Sequence, residues 1–233
     1  MKKKMKFNWL FIPVHLGGIL PLLWLVWQVL NGELGANPIQ AAILRMGKTA
    51  LTLLLVTLTC TPLYTIIGSN KFIRVRRALG LYTFSYALMH VSLVLGVDYG
   101  LNIPVIVKFL LPQTSVLAGV GAFLILLPMA ITSFRWWKKK MGRNWKRLHR
   151  LVYLAAPLAV LHFAWVLKGD IFRLQGNVGQ PLIFAGILAL LLLLRLPFIR
   201  EGIVNLRQSR LALTEANGVG LKNNQQVREK SES

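Results

Sequence analysis

The chain has 233 residues, of which 55% are hydrophobic and 15% are charged, and its mean hydropathy is +0.56. Such an apolar composition excludes an ordinary water-soluble domain and is typical of a protein with several membrane-spanning segments. The net charge is +21, but the cations lie between apolar blocks, which argues against a nucleic-acid-binding surface. The single cysteine, Cys60, excludes an intrachain disulfide.

Six apolar runs are long enough to cross a bilayer core as helices, which takes about 20 residues each. The first follows a basic N-terminus, but it is too long for a signal peptide and lacks a small-residue cleavage site, so we interpret it as a retained span. The runs are continuous and lack the alternation of barrel strands, which predicts an all-α integral membrane protein, a six-helix transmembrane bundle. The predicted spans are Trp9–Leu30, Thr49–Ile67, Ala78–Val97, Thr114–Phe134, Leu148–Leu167 and Gln180–Pro197.

Lysines and arginines alternate between the two sides of the predicted bundle. Four precede residue 7, four lie in 71–77, eight in 135–150 and seven from 195 onward, whereas the intervening segments hold the other five. Since positive residues accumulate in cytoplasmic loops, both termini are predicted to be cytoplasmic. The predicted membrane domain covers 1–204, a polar and flexible cytoplasmic tail covers 205–233, and the outer loop 98–113 is apolar enough for a short interfacial helix.

Two histidines lie at matched depth in otherwise apolar spans. His90 lies 12 residues after Ala78 and His162 lies 12 residues after Arg150, so both are about 18 Å from the cytoplasmic face at 1.5 Å per residue. Two imidazoles at one level on two helices are the arrangement that binds a haem iron from both sides, as the axial ligands of an electron-transferring haem. The alternative is that each histidine only packs and hydrogen-bonds a neighbouring carbonyl.

The other two histidines are weaker candidates. His149 lies 13 residues before His162, roughly 20 Å away along a helix, and Arg77 rather than a histidine occupies the corresponding depth in the third span. His149 therefore binds a second haem with another partner, lines a quinone or flavin pocket, or is an interfacial histidine among cations. His15 is predicted to pack or to hydrogen-bond a carbonyl. Close approach of helices is permitted by Gly17, Gly18, Gly119 and Gly121.

Several sequence blocks together resemble the bacterial YedZ family, also called MsrQ, which belongs to the ferric-reductase-like transmembrane group. The resemblance covers nearly all of residues 14–197, and its specific part is the combination of the two histidine-containing blocks that begin at 76 and 142. The blocks are LPLLWLVW at 20–27, LGANP at 34–38, TPL at 61–63, RRALGLYTFSYALMH at 76–90, GRNWKRLHRLVYL at 142–154 and LHFAW at 161–165.

This resemblance implies the haem-binding membrane subunit of a periplasmic protein-methionine-sulfoxide reductase system in the bacterial inner membrane. It implies haem b and FMN as cofactors, membrane quinol as the electron source, and a periplasmic molybdenum-cofactor subunit as the partner that reduces methionine sulfoxide. The haem histidines of the family map onto His90 and His162, and its third histidine maps onto His149. Catalytic sulfoxide reduction would then belong to the partner, and the FMN and quinone contacts are not mapped onto residues.

Two rival functions fit the same sequence. A ferric or other metal reductase would receive its electrons from a separate flavoprotein. The electron donor distinguishes the two functions, because the rival would use NADPH and the quinol-fed subunit would use quinol. A non-redox membrane scaffold or transporter, whose histidines only pack, would be a colourless protein.

Overall fold

The computed structural model describes residues 8–167 and 179–209, and every regular element in these ranges is a helix. The predicted all-α class is therefore confirmed for this part of the chain. The N-terminal lysines, the loop cations Lys168 and Arg173, and residues 210–233 of the predicted tail lie outside it. In chain order the helices are α1 (Phe11–Leu30), α2 (Pro38–Ile67), α3 (Lys71–Ser92), α4 (Ile103–Val105), α5 (Thr114–Ile131), α6 (Arg135–Met141), α7 (Arg143–Arg150), α8 (Val152–Val166), α9 (Gly179–Leu193) and α10 (Pro197–Ser209).

Five helical stretches are long and apolar enough to cross a membrane, and α9 and α10 make a sixth if they count as one span. Those two helices meet at a bend of 70°. The protein is thus a multi-pass membrane helical bundle, while the number six and the cytoplasmic termini remain predictions. The five stretches are Phe11–Leu30, Pro38–Ile67, Lys71–Asp98, Thr114–Ile131 and Arg143–Val166.

Helix α2 begins at Pro38, well before the predicted start of its span at Thr49. Asn37 caps it, because its side-chain oxygen accepts the backbone N–H of Gln40 at 3.2 Å. Proline fits the first helical position because it needs no hydrogen-bond partner there. A search for apolar runs misses these turns since they contain cations.

The last predicted span, Gln180–Pro197, also has different bounds in the structure. Helix α9 ends at Leu193 and α10 begins at Pro197, a residue suited to start a new helix. Residues 205–209, assigned by the sequence to the tail, are helical as the end of α10. In the outer loop, the predicted interfacial helix corresponds to α4 followed by a π-helical turn over Ile106–Leu110.

Helix α2 lies at the centre of the bundle, and α2–α3 and α5–α8 are its two most extensive helix pairs. One buried cluster joins α1, α2 and α3 and includes Met46 and Tyr86. A second joins α2, α8 and α9 and includes Leu58 and Val160. The helix that carries His90 therefore packs against α2, and the helix that carries His162 packs against α5.

Several hydroxyl groups inside the spans are satisfied by the protein itself, as suits a lipid environment. Thr57, Thr65 and Thr83 each donate a hydrogen bond to the backbone carbonyl four residues earlier in the same helix. The buried Tyr86 hydroxyl donates to the Gly18 carbonyl at 2.8 Å, which ties α3 to α1.

Substituting alanine for Gly18 is expected to destabilise the bundle, whereas the same change at Gly17 is expected to be nearly neutral. A Cβ atom at Gly18 would lie 2.7 Å from the Tyr82 ring, but one at Gly17 would have no neighbour within 4 Å. Overpacking of this kind costs about 1–3 kcal/mol. Thermal unfolding of both variants in detergent measures the difference, and equal melting temperatures would contradict the close α1–α3 contact.

Candidate functional site

His90 and His162 face each other across the bundle. His90 lies near the end of α3 and His162 near the end of α8. Their ring centroids are 6.0 Å apart, and the two ring planes meet at 76°. The structure therefore brings together the two histidines that the sequence placed at equal depth.

Each of the two rings is anchored by a backbone carbonyl of the neighbouring helix. The Nδ1–H of His90 donates to the Ile43 carbonyl of α2 at 2.9 Å, and the Nδ1–H of His162 donates to the Ser115 carbonyl of α5 at 2.7 Å. A carbonyl only accepts, so both bonds require the proton on Nδ1. In the neutral imidazole this leaves Nε2 with a free lone pair, which is the form that binds a metal.

A glycine lies beside each histidine ring, one helical turn after the residue whose carbonyl binds that ring. A Cβ atom at Gly47 would lie 3.1 Å from Nδ1 of His90, and one at Gly119 would lie 2.8 Å from Nδ1 of His162. Any larger side chain at Gly119 would therefore displace the ring or break its hydrogen bond. The sequence indicated Gly119 only as a site of close helix approach, and it did not single out Gly47, Ile43 or Ser115.

The two halves of the site repeat one arrangement. Ile43, Gly47 and His90 are each followed 72 positions later by their counterparts, Ser115, Gly119 and His162. The helix pair α2–α3 thus holds its histidine in the same way as α5–α8 does. A repeat of three positions among many apolar residues is too sparse to detect in the sequence before the contacts are known.

The distance between the rings fits a single metal ion held between them. An imidazole nitrogen lies about 2.0–2.1 Å from a bound metal, so two rings that face one ion have centres about 6 Å apart. The observed separation is 6.0 Å. Within the described ranges no group of three or more His, Cys, Asp or Glu side chains is placed to hold a metal ion. A two-histidine pair suits a metal whose remaining ligands come from a cofactor, as the four porphyrin nitrogens do in haem.

His149 lies apart from this pair and is held differently. Its Nδ1–H donates to the carbonyl of Trp145 in its own helix at 3.0 Å, and its ring stacks on the Trp145 indole at a centroid distance of 4.0 Å. The indole N–H of Trp145 in turn donates to the Thr132 carbonyl of the segment after α5. His149 has no histidine opposite it among the described residues, so it is not half of a second facing pair there.

The sequence predicted that His15 packs or bonds a carbonyl, and in the structure it bonds the hydroxyl of a side chain. Its Nδ1 shares a hydrogen bond of 2.9 Å with the Tyr82 hydroxyl, and its ring stacks against Phe11. His15 is exposed, and its hydrogen bond links α1 to α3.

Residues 42–160, about half of the chain, match the family described as ferric reductase like transmembrane component. The chain belongs to this family. The matched range runs from α2 into α8 and contains Gly47, His90, Gly119 and His149, and it ends two residues before His162.

Membership of the ferric-reductase-like family indicates a membrane electron-transfer component. Domains of this family typically bind haem, which is compatible with the facing histidine pair. The family therefore supports the coarser part of the sequence-based prediction, a redox protein that spans a membrane.

Proposed function

We propose that the protein is a YedZ/MsrQ-type cytochrome b of the bacterial inner membrane. It passes electrons from the quinol pool, through haem b and FMN, to a periplasmic molybdenum-cofactor subunit that reduces methionine sulfoxide in oxidised proteins. The observation that carries this proposal is the facing pair, His90 and His162, with a ring separation of 6.0 Å and both Nδ1 atoms bonded to carbonyls.

In this proposal His90 and His162 are the residues that would hold the haem iron. Haem, when bound, supplies a one-electron couple. Because the protein would supply two histidine ligands to the iron, the site would favour electron transfer over oxygen binding. The carbonyls of Ile43 and Ser115 fix the tautomer and the orientation of the two rings, which are the properties that second ligand shells control at metal sites.

His149 supports the oxidation of quinol in the same proposal. Oxidation of a quinol releases two electrons and two protons, and the protons need an acceptor near the site where they leave. The Nδ1–H of His149 is bonded to Trp145, so its neutral ring has an open Nε2 that accepts a proton. By helical rise His149 is roughly 20 Å from His162, toward the predicted cytoplasmic side.

FMN enters the proposal through the sequence resemblance alone. No residue of this chain is assigned to hold FMN.

Replacing His149 with phenylalanine is expected to slow reduction of the haem by quinol about 100-fold, the usual scale for loss of a general base. The reduced spectrum of the His90–His162 haem should persist, since that pair is untouched. Stopped-flow absorbance after mixing with a soluble quinol measures the rate, and His15→Phe is the matched control. An unchanged rate in His149→Phe would contradict the proton-accepting role.

Donor specificity separates the proposed function from its closest rival, a ferric or metal reductase fed by a flavoprotein. The purified protein in lipid nanodiscs is mixed with quinol, or with NADPH and a soluble flavin reductase, and haem reduction is followed optically. We expect rapid reduction by quinol and reoxidation by the periplasmic molybdenum-cofactor subunit. Reduction by the flavin reductase alone, with electrons passed to ferric complexes, would establish the rival instead.

A further inference from the structure

A second polar site lies at the end of the bundle away from the histidine pair. It is a cleft of about 470 Å³ between the end of α2, the start of α3, the start of α8 and the bend between α9 and α10. Three arginines line it, Arg76, Arg195 and Arg200, together with Tyr153, and no carboxylate lines it in the described part of the chain. Arg76 precedes His90 by 14 residues on α3, which corresponds to about 21 Å of helical rise.

Among the described residues, positive groups outnumber negative groups at this cleft. Arg195 donates to the Leu58 carbonyl and to the Tyr153 hydroxyl, while its buried Nε has no hydrogen-bond partner within 8–167 and 179–209. Arg76 only approaches the Thr61 hydroxyl, at 3.5 Å. Glu201 lines an adjoining cleft with Arg195 and Arg200, so among the described residues one carboxylate lies beside two of the three guanidinium groups. Guanidinium groups gathered in this way favour an anion, and phosphate is the anion that their paired N–H groups match best.

Apolar surface continues from the edge of the cleft. Ile73 belongs to its lining and is 40% exposed, and Ile66 and Leu193 on the flanking helices are also exposed. In a membrane protein such side chains face lipid tails. A ligand that combines a phosphate with long apolar chains therefore matches both parts of the surface, whereas a soluble phosphate ester uses only the arginines.

We propose that this cleft binds the phosphate head group of an anionic phospholipid. Arg76, Arg195 and Arg200 hold the head group, and the acyl chains lie on the exposed apolar face beside Ile73. The arginine-rich end is the predicted cytoplasmic one, where anionic lipids attract basic groups and occupy basic pockets between helices. This site is independent of the haem proposal, because none of its three arginines contacts His90 or His162.

The test is lipid binding by the full-length protein in neutral maltoside micelles, measured by native mass spectrometry during titration with phosphatidylglycerol. Arg200→Gln is the first variant because this side chain is exposed, and Arg76→Gln/Arg200→Gln is the second. Arg147→Gln, an exposed arginine of α7 outside the cleft, is the matched control. A basic residue near an anionic lipid surface contributes about 1 kcal/mol to binding. The loss of each arginine charge should therefore weaken the affinity for phosphatidylglycerol about fivefold.

Two further ligands separate the lipid from a soluble phosphate. FMN and inorganic phosphate are titrated as competitors against bound phosphatidylglycerol, and phosphatidylcholine serves as the zwitterionic lipid without net charge. We expect selective retention of phosphatidylglycerol that falls in the two cleft variants and not in Arg147→Gln. Equal lipid binding by all variants would overturn the proposal. Displacement of the lipid by FMN, with FMN affinity lowered by the same substitutions, would also overturn it and would assign the cleft to a flavin phosphate.

Discussion

Alanine in place of either His90 or His162 is expected to abolish the reduced b-type absorption band that the proposed haem would give. Each side chain would supply one axial ligand, and the two rings are 6.0 Å apart, so neither can substitute for the other without a large movement. Removing a group that hydrogen-bonds a metal ligand already lowers metal affinity about 10–100-fold. Removing the ligand itself should therefore lower haem affinity by more than about 100-fold. Haem per protein, measured as the pyridine haemochrome, gives the result.

The matched control for these two variants is His15→Ala. His15 is also a histidine within a span, but it bonds the Tyr82 hydroxyl and lies outside the pair. Added imidazole should partly restore the low-spin spectrum of His162→Gly, because it fills the vacated ligand position, whereas a merely structural role would not respond to it. A full absorption band in both His90→Ala and His162→Ala would place the iron elsewhere and leave the pair with a packing role.

Glycine-to-alanine substitutions beside the histidines should form a graded series. The added Cβ would lie 2.8 Å from Nδ1 of His162 at Gly119, 3.1 Å from Nδ1 of His90 at Gly47, and 3.4 Å from Leu158 at Gly121. Only the last is an ordinary van der Waals distance. We expect Gly119→Ala to lower haem affinity about 10–100-fold, as loss of an outer-shell hydrogen bond does, Gly47→Ala to lower it less, and Gly121→Ala to leave it unchanged.

Haem retention and the midpoint potential report this series together. Displacement of His162 from the Ser115 carbonyl changes the electron density of the ring, so Gly119→Ala should shift the potential of whatever haem remains. Gly121 lies on the same helix two residues further along, which makes its variant a control for added helix propensity and bulk. Equal behaviour of Gly119→Ala and Gly121→Ala would show that the glycine does not position the histidine.

The spans were largely predictable because each is an apolar run of sufficient length, a property that does not depend on neighbouring helices. Their ends were less predictable, since the helices continue through cations. Helix α2 includes Arg45 and Lys48, and α7 consists mostly of polar and basic residues. The Asn37–Pro38 pair is a capping signal that could have indicated the early start of α2. The 70° bend between α9 and α10 depends on where α10 packs, which no apolar run encodes.

Depth along a helix is readable from residue counting, and it was enough to pair His90 with His162. Rotation about the helix axis is not readable in this way, because it depends on which faces of α2 and α5 turn toward the histidines. The contributions of Ile43, Gly47 and Ser115 therefore emerged only from the contacts. The function of His149 stays a prediction for the same reason, as its own helix supplies its hydrogen-bond partner.

The most direct test of the central claim is electron paramagnetic resonance of the oxidised, purified protein at low temperature. Two neutral imidazoles on one ferric haem give a low-spin signal, and rings that meet near the observed 76° should make this signal strongly anisotropic. That spectrum would support a haem held between His90 and His162. A high-spin signal from a five-coordinate iron, or no haem signal after expression with adequate haem, would contradict it.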